Sequence, residues 1–258
     1  MNDALPEFNQ VRDFLLDVAR VAMTSGSSSH RVENLLVRIG KTWGYDVEAA
    51  AIPTVVWITI RKEKLQVLEL TRVRNWGVDL TKLTRLSFLV DQIDQNKINF
   101  NEAQTKLVNI QLARSPYPFL ISALAGASSS ASIEYFYEGK MHEIILAGVL
   151  GVIVFLINGY SVHSENRRVV SDFFAGLIVG LIALGLKYVF PDIEPTRLIV
   201  AGLIVPVPGL IFVNAVHEVA NKNLASGSAR LLEAAIIGLS LAFGVACAIG
   251  LFGILVKT

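Results

Sequence analysis

Four polar side chains occur at helical spacing near the end of an apolar stretch: Asn214, His217, Glu218 and Asn221. Positions i, i+3, i+4 and i+7 share one face of a helix. Ionisable groups at the edge of a membrane segment commonly mark a path for substrate or ions, and a carboxylate beside a histidine can carry a coupling proton. This stripe is therefore predicted to bind a polar substrate or an ion. The alternative is that His217 and Glu218 simply reach the solvated headgroup layer.

A helix interruption is predicted just before this stripe. Pro206 and Pro208 each lack a backbone N–H donor, and Gly209 adds conformational freedom. Broken helices in membranes are tolerated where they face protein or a water-filled cavity, and in transporters they often carry binding sites. We therefore assign Pro208 and Gly209 to the same candidate site as Asn214 and Glu218.

Three further polar residues lie in apolar stretches: Ser130, Glu134 and Asn158. Each is a candidate for lining a polar path through the protein. Each also has a simpler interpretation, because a serine can hydrogen-bond to its own helix and residues near a helix end can reach the headgroups.

Enzyme motifs are incomplete in this chain. The stretch from His217 to Asn221 resembles the zinc-protease pattern HExxH, but an asparagine stands where the second histidine is needed. The segment Gly26–His30 lacks the second glycine of a nucleophile elbow and is not preceded by a predicted strand. Cys247 is the single cysteine, so it offers neither a disulfide nor a cysteine-based metal site. We expect no enzymatic activity, no metal and no cofactor.

The composition is typical of a membrane protein. Of 258 residues, 53% are hydrophobic and only 17% are charged, too few for an ordinary soluble domain of this size. Residues 1–116 hold 28 of the 45 charged residues, so the water-exposed part is expected to end near residue 116. The net charge of +1, without a basic run, gives no footprint for nucleic acid.

Residues 1–114 are predicted to form a small cytoplasmic α+β domain. Apolar residues at helical spacing predict helices over Phe8–Met23, from Ser27 or Ser28 to about Gly44, Leu80–Ile93 and Asn101–Leu112. Two runs rich in β-branched residues, Ile52–Ile60 and Leu65–Val73, predict a hairpin, and Asp46–Ala51 is a candidate third strand. The linker Arg114–Pro118 contains two prolines, which end the preceding helix.

Residues 117–258 are predicted to form a bundle of about five transmembrane helices, since each span needs about 20 apolar residues. The predicted spans are 117–137, 142–162, 172–190, 198–216 and 231–256. The positive-inside rule then places Arg114, Arg167, Arg168 and Arg230 with the N-terminal domain in the cytoplasm. Small residues such as Gly176, Gly180, Gly238 and Gly250 are expected to serve close helix packing.

Several short motifs, in order, resemble one known family: Gly26 with Arg31-Val32-Glu33, Gly44-Tyr45, Gly77-Val78-Asp79-Leu80, Val207-Pro208-Gly209 and Asn214-Ala215. Together with the layout they are similar to the threonine/serine exporter (ThrE) family, in particular its YjjP-like type. The resemblance covers nearly the whole chain. Where related chains have an aspartate after the Asn-Ala pair, this chain has Glu218, whose side chain is one methylene longer.

The resemblance implies export of small polar metabolites across the cytoplasmic (inner) membrane. The substrate would be threonine or serine, or a dicarboxylate such as succinate. Full-length relatives carry a second, smaller hydrophobic unit, and this chain ends at Thr258 without one. The resemblance therefore implies a separate partner, a small YjjB-like membrane protein, with protons as a candidate coupling ion and a homo-oligomer as a further option.

Two functional hypotheses follow. In the first, the chain is one subunit of a secondary exporter, in which helices rock around a substrate or proton held by Asn214 and Glu218. In the second, it is a non-transport subunit whose cytoplasmic domain docks or senses a partner while the bundle acts as an anchor.

Overall fold

The computed structural model describes residues 6–74, 77–113, 117–161 and 168–257. The chain divides into two compact units. Unit 1 comprises residues 1–116 and 213–231, and unit 2 comprises residues 117–212 and 232–258. The predicted linker residues Arg114, Ser115 and Pro116, and Arg167 of the charge argument, lie outside the described residues.

The first part of unit 1 is an α+β arrangement with the element order ααβββαα. Its elements are α1 Phe8–Thr24, α2 Ser29–Thr42, β1 Asp46–Ile52, β2 Val55–Lys62, β3 Leu65–Arg72, α3 Leu80–Asp94 and α4 Phe100–Leu112. The candidate strand at Asp46 is confirmed. The run Ile52–Ile60 is not one strand, because Pro53 and Thr54 form the turn that joins β1 to β2. Proline cannot donate to a strand ladder, which explains the break.

The three strands form an antiparallel sheet in the order β1-β2-β3, with Ala49 opposite Ile58 and Thr59 opposite Leu68. One face of β2, with Ile58 and Ile60, is fully buried in a core shared with α1 and α2. The helices carry the caps that their sequences predict: Ser28 accepts a hydrogen bond from the Arg31 N–H at the start of α2.

Six helices follow. They are α5 Phe119–Phe136, α6 Met141–Ser161, α7 Arg168–Val189, α8 Pro195–Gly202, α9 Gly209–Ala220 and α10 Leu224–Lys257. The core of unit 2 is made of side chains such as Leu150, Val154, Val179, Leu198 and Leu241.

Within the described residues, three helical stretches are long and apolar enough to cross a membrane: Met141–Gly159, Arg168–Val189 and Leu224–Leu255. The chain is thus a mostly helical membrane protein, but the prediction of five complete spans is not confirmed. The predicted fourth span, 198–216, is divided between α8 and α9, as the prolines indicated. The predicted first span corresponds to α5, which has 18 residues and is made less apolar by its serines and Glu134.

Two of the predicted packing glycines, Gly176 and Gly180, serve close helix contact. A Cβ atom on Gly176 would collide with the backbone of Leu241, and one on Gly180 would lie 2.6 Å from the side chain of Ala248. The α7 helix therefore packs on α10 through these glycines. Among the described residues, a Cβ atom on Gly238 or Gly250 would meet nothing within 4 Å, so a packing role for these two glycines stays a prediction.

Candidate functional site: buried carboxylates

The predicted helix interruption spans Leu203–Pro208, between α8 and α9. The Gly209 N–H donates to the carbonyl of Val207, 2.8 Å away, and the Phe212 N–H donates to the carbonyl of Pro208, 2.9 Å away. Gly209 is exposed, and among the described residues a Cβ atom there would meet nothing within 4 Å. These two hydrogen bonds fix the backbone at the start of α9, and the described residues leave space beside Gly209.

The polar stripe of α9 is divided between a buried and an exposed part. Glu218 is fully buried and Asn214 is half-buried. The buried Ala215 lies on the same side of α9 as Glu218. His217 is exposed and pairs with Asn221, whose side-chain Nδ2 lies 3.1 Å from its Nδ1. The simpler interpretation, in which both residues are solvated, therefore fits His217 but not Glu218.

The buried carboxylate of Glu218 lies at the N-terminus of α2, within unit 1. Its Oε1 accepts a hydrogen bond from the backbone N–H of Ser29 and lies 4.0 Å from the Arg230 Nε. Helix N-termini favour negative charge because their first N–H groups lack partners within the helix. Arg230 is itself buried and donates to the carbonyl of Ser27, 2.7 Å away.

Two serines extend this contact. The hydroxyl groups of Ser29 and Ser226 lie 2.8 Å apart, and the hydroxyl of Ser226 donates to the carbonyl of Ala51, 3.1 Å away. Both serines are fully buried. Glu218, Arg230 and these serines, which we call the Glu218 network, therefore join α9 and α10 to α2 and β1.

Local sequence explains why the α1–α2 turn can present Ser29 in this way. Gly26 has a φ of +88°, a conformation that glycine adopts freely, and a Cβ atom there would lie 2.6 Å from the carbonyl oxygen of Gly77. Where α10 packs on α9, a Cβ atom on Gly227 would lie 2.5 Å from the side chain of Val219. Glycine at these two positions allows the close approach on which the Glu218 network depends.

Glu33, next to this network, makes the stability of unit 1 depend on pH. Its carboxylate accepts a hydrogen bond from the Ala51 N–H, 2.9 Å away. Partial burial raises the pKa of Glu33, and the negative charge of Glu218 adds to this, while the bond to Ala51 and the nearby His30 oppose it.

Since the pKa of Glu33 is higher in the folded than in the unfolded state, the folded protein holds more protons between the two values. We expect stability to fall as the pH rises through this window, which starts near the ordinary glutamate pKa of about 4.3. Melting curves of wild type and Glu33→Gln across this range measure the effect. The variant keeps an acceptor for Ala51 and should show a weaker decline; equal slopes would contradict the assignment to Glu33.

A second buried carboxylate, Glu134, lies at the end of α5 in unit 2. It is fully buried, and neither of its oxygens has a hydrogen-bond partner among the described residues. Ser130, one turn earlier, is equally buried, and a Cβ atom on Gly151 of α6 would lie 2.5 Å from its hydroxyl oxygen. The structure thus places these two predicted residues next to each other along the contact between α5 and α6.

A charged pair that the sequence did not predict lies beside Glu134. Glu143 of α6 is buried and lies 3.4 Å from Arg197 of α8. The Glu143 carboxylate also accepts hydrogen bonds from the N–H groups of Lys140, at 2.8 Å, and Glu194, at 3.2 Å. Glu143 therefore ties the starts of α6 and α8 together.

Asn158 is placed apart from this pair. Its side-chain oxygen accepts a hydrogen bond from the hydroxyl of Ser171 on α7, 2.9 Å away. Fifteen residues of α6 separate it from Glu143, which is about 22 Å of helix. The structure therefore brings Ser130 and Glu134 together, puts Glu218 in the other unit and gives Asn158 a different partner.

Signals for the missed residues were weak. Arg197 is a positive residue in a loop that the positive-inside rule places outside the cytoplasm, which marks it as unusual, but nothing in its spacing links it to Glu143. Arg230 entered the sequence analysis only through its charge, and Ser226 carried no signal, because their partners are more than 170 residues away in the chain. In the part of the chain that the structure describes, no group of three His, Cys, Asp or Glu side chains could hold a metal ion.

Known proteins are similar to this chain in sequence. The family model described as "Putative threonine/serine exporter" matches residues 13–252. "Pheromone-regulated membrane protein 10" of Candida albicans is 25% identical over 249 residues, which is 95% of this chain and 22% of the relative. Its namesake in Eremothecium gossypii is 23% identical over 246 residues, which is 93% of this chain and 33% of the relative.

The chain thus spans a third or less of the length of these relatives. No solved structure matches it. The family match covers nearly the whole chain, including Glu134, Glu218 and the interrupted helix. The chain belongs to the threonine/serine exporter family.

Proposed function

We propose that this protein is a subunit of a secondary exporter that moves small polar metabolites, either threonine and serine or dicarboxylates such as succinate. The observation that carries this proposal is the family match over residues 13–252. The interrupted helix at Leu203–Pro208 supports it, because such interruptions are where transporters commonly bind their substrates.

In this proposal the membrane unit has five crossings. Besides the three long helices, α5 crosses with 18 residues, about 27 Å of helix against a hydrocarbon core of about 30 Å. The fifth crossing is the broken pair α8 and α9. The protein lies in the cytoplasmic (inner) membrane with the N-terminal domain in the cytoplasm, which the positions of Arg168 and Lys222 support through the positive-inside rule.

The proposed substrate site is the start of α9. Amino acids and dicarboxylates both carry a carboxylate, which the positive end of a helix attracts. Asn214 is half-buried, about one and a half turns into α9, and supplies an amide for a hydrogen bond to the substrate. Glu218, one turn further on, is engaged with Ser29, so its role in transport is to hold α9 in position rather than to touch the substrate.

We also propose that transport requires a second hydrophobic unit of the YjjB-like type, supplied by a separate small membrane protein. The support for this partner is the family resemblance.

Reconstitution in liposomes tests the proposal. The chain is inserted with and without a YjjB-like protein, and efflux of labelled threonine, serine and succinate is measured. A hydrogen bond to a charged group contributes about 1.5–3 kcal/mol, so Asn214→Ala should slow efflux of the true substrate about tenfold or more. Val213→Ala, at the preceding exposed position of α9, is the matched control and should retain wild-type rates.

Wild-type efflux from Asn214→Ala would remove Asn214 from the substrate site, and wild-type efflux from Glu218→Ala would contradict the positioning role of Glu218. The second candidate function, an interaction subunit without transport, has one observation in its favour. Leu68 and Leu70, on the outer face of the sheet, are 66% and 54% exposed, which is unusual for leucines of a strand. Absence of efflux for all three substrates, with the partner present, would favour that function.

A further inference from the structure

Glu134 has a buried carboxyl group with little nearby positive charge to stabilise its ionised form. Its exposed fraction is 0%, and the structure assigns no hydrogen bond to either carboxylate oxygen within the described residues. The nearest cationic atom is the Arg197 Nε, 4.0 Å from Oε1, which is beyond hydrogen-bonding distance. A buried carboxylate with so weak a partner is costly when ionised.

Arg197 is already committed elsewhere. One guanidinium nitrogen donates to the carbonyl of Tyr137, 3.1 Å away, and the other lies 3.4 Å from the Glu143 carboxylate. The Arg197 Nε, which faces Glu134, is buried and has no hydrogen-bond partner in the described part of the chain. Arg197 therefore compensates Glu143 and keeps one donor available toward Glu134.

The charges of this cluster do not balance when both glutamates are ionised. Two buried carboxylates, Glu134 and Glu143, share the single guanidinium of Arg197, which leaves one negative charge. Glu143 is held by two backbone N–H groups and Arg197, so it is the carboxylate that stays ionised. One proton on Glu134 makes the cluster neutral.

The other charged groups at this end of unit 2 are paired with one another or, like Glu194, exposed to solvent. Lys140 pairs with Asp192 at 3.0 Å, and His142 lies 3.5 Å from the same carboxylate. The hydrogen bond from Lys140 lowers the pKa of the exposed Asp192, which therefore remains ionised. Glu138 is exposed to solvent. Of the two buried carboxylates in this cluster, Glu134 is therefore the one that can gain or lose a proton.

Gly139 gives this carboxylate a short route to the surface. A Cβ atom on Gly139 would lie 2.5 Å from the Glu134 Oε1, so only a glycine fits directly over it. Gly139 also lines an open surface depression of about 540 Å³, together with Ser132, Tyr135, Phe136 and Glu138. The thickness of one glycine residue therefore separates the carboxylate from the depression.

We propose that Glu134 is a proton-binding site, which exchanges its proton with water in this depression and pairs with Arg197 when the proton leaves. In the loaded state the carboxyl group is neutral and the 4.0 Å gap to Arg197 persists. On unloading, one proton passes to water and the carboxylate accepts the free Nε–H of Arg197. This inference rests on the proposed function for its purpose, which is to couple export to a proton gradient, but the site itself can be tested without transport.

Infrared spectroscopy of the purified full chain in lipid tests the site directly. A protonated carboxylic acid has a C=O stretching band separate from the amide bands. The wild-type-minus-Glu134→Gln difference spectrum is expected to show this band and to lose it as the pH is raised. Taking the difference cancels the contribution of Asp172, another buried carboxyl group in unit 2.

Three further variants and conditions complete this test. Asp192→Asn, the exposed carboxylate at the same end, should leave the band unchanged, and Glu134→Asp should shift it without abolishing it. No band in the difference spectrum, at any pH, would overturn the proposal. A band that responds to added sodium ions at constant pH, and not to pH, would identify a sodium site and overturn it as well.

Transport assays separate this inference from the proposed function. With efflux established, the wild-type rate should depend on an imposed pH gradient, whereas Glu134→Gln should show no such dependence. If the band is present but wild type exports nothing, the proton site stands and the exporter proposal fails. If Glu134→Gln retains gradient-driven efflux at the wild-type rate, the coupling role of Glu134 is wrong.

Discussion

Glu218→Ala is expected to lower the free energy of unfolding of unit 1 by about 3 kcal/mol, the lower end of the range for removing one partner of a buried charge pair. The substitution leaves the Ser29 N–H without its acceptor at the start of α2 and removes the carboxylate that faces Arg230. Thermal and denaturant melting of the purified protein measures the loss. Glu218→Gln should cost less, because its amide oxygen still accepts the Ser29 N–H.

His217→Ala is the matched control, one position away on the same helix. His217 is exposed and its partner Asn221 belongs to the same helix end, so the change should stay within about 0.5 kcal/mol of wild type. Equal destabilisation by the two alanine variants would show that the Glu218 network does not stabilise the unit. A double-mutant cycle of Glu218→Ala with Ser226→Ala would measure how strongly the network residues are coupled.

Gly244→Leu is expected to be the most damaging substitution in unit 2. A Cβ atom on Gly244 would collide with the backbone carbonyl of Phe173 and approach the backbone of Gly176, both on α7. Backbone atoms cannot rotate away, so α7 and α10 must separate and lose their contact. Overpacking usually costs about 1–3 kcal/mol, and we expect this case at the upper end or beyond.

Gly253→Leu, on the same helix, is the control for this effect. Among the described residues, nothing lies within 4 Å of a Cβ atom at Gly253, so the added side chain meets no described neighbour at that atom. Melting temperature and the fraction of monodisperse protein in detergent should fall for Gly244→Leu and stay near wild type for Gly253→Leu. Matching behaviour of the two variants would contradict the assigned α7–α10 contact.

Local signals predicted the local structure well. The helices of the N-terminal part follow from apolar periodicity and from caps such as Ser28, and the interruption of the fourth predicted span follows from Pro206 and Pro208. These features depend on neighbouring residues and on backbone chemistry. The exact strand boundary at Pro53 was missed, although proline carried the signal for it.

Features that depend on distant partners could not be predicted. The burial of Glu218 requires Ser29, which is 189 positions away, and the sequence alone does not indicate that pairing. The packing of the glycines in α7 and α10 likewise depends on residues that are distant in the chain. Gly176 and Gly250 look alike in sequence, but only Gly176 meets a neighbouring backbone.

The last helix also bears on the kind of membrane that suits this protein. In α10, which has 34 residues, the 22 residues from Ala234 to Leu255 contain no charged side chain. At a rise of about 1.5 Å per residue they span about 33 Å, whereas the hydrocarbon core of a typical bilayer is about 30 Å thick. Because a surplus of this size is accommodated by slight tilting, the helix matches bilayers of ordinary or slightly greater thickness and fits a thin bilayer less well.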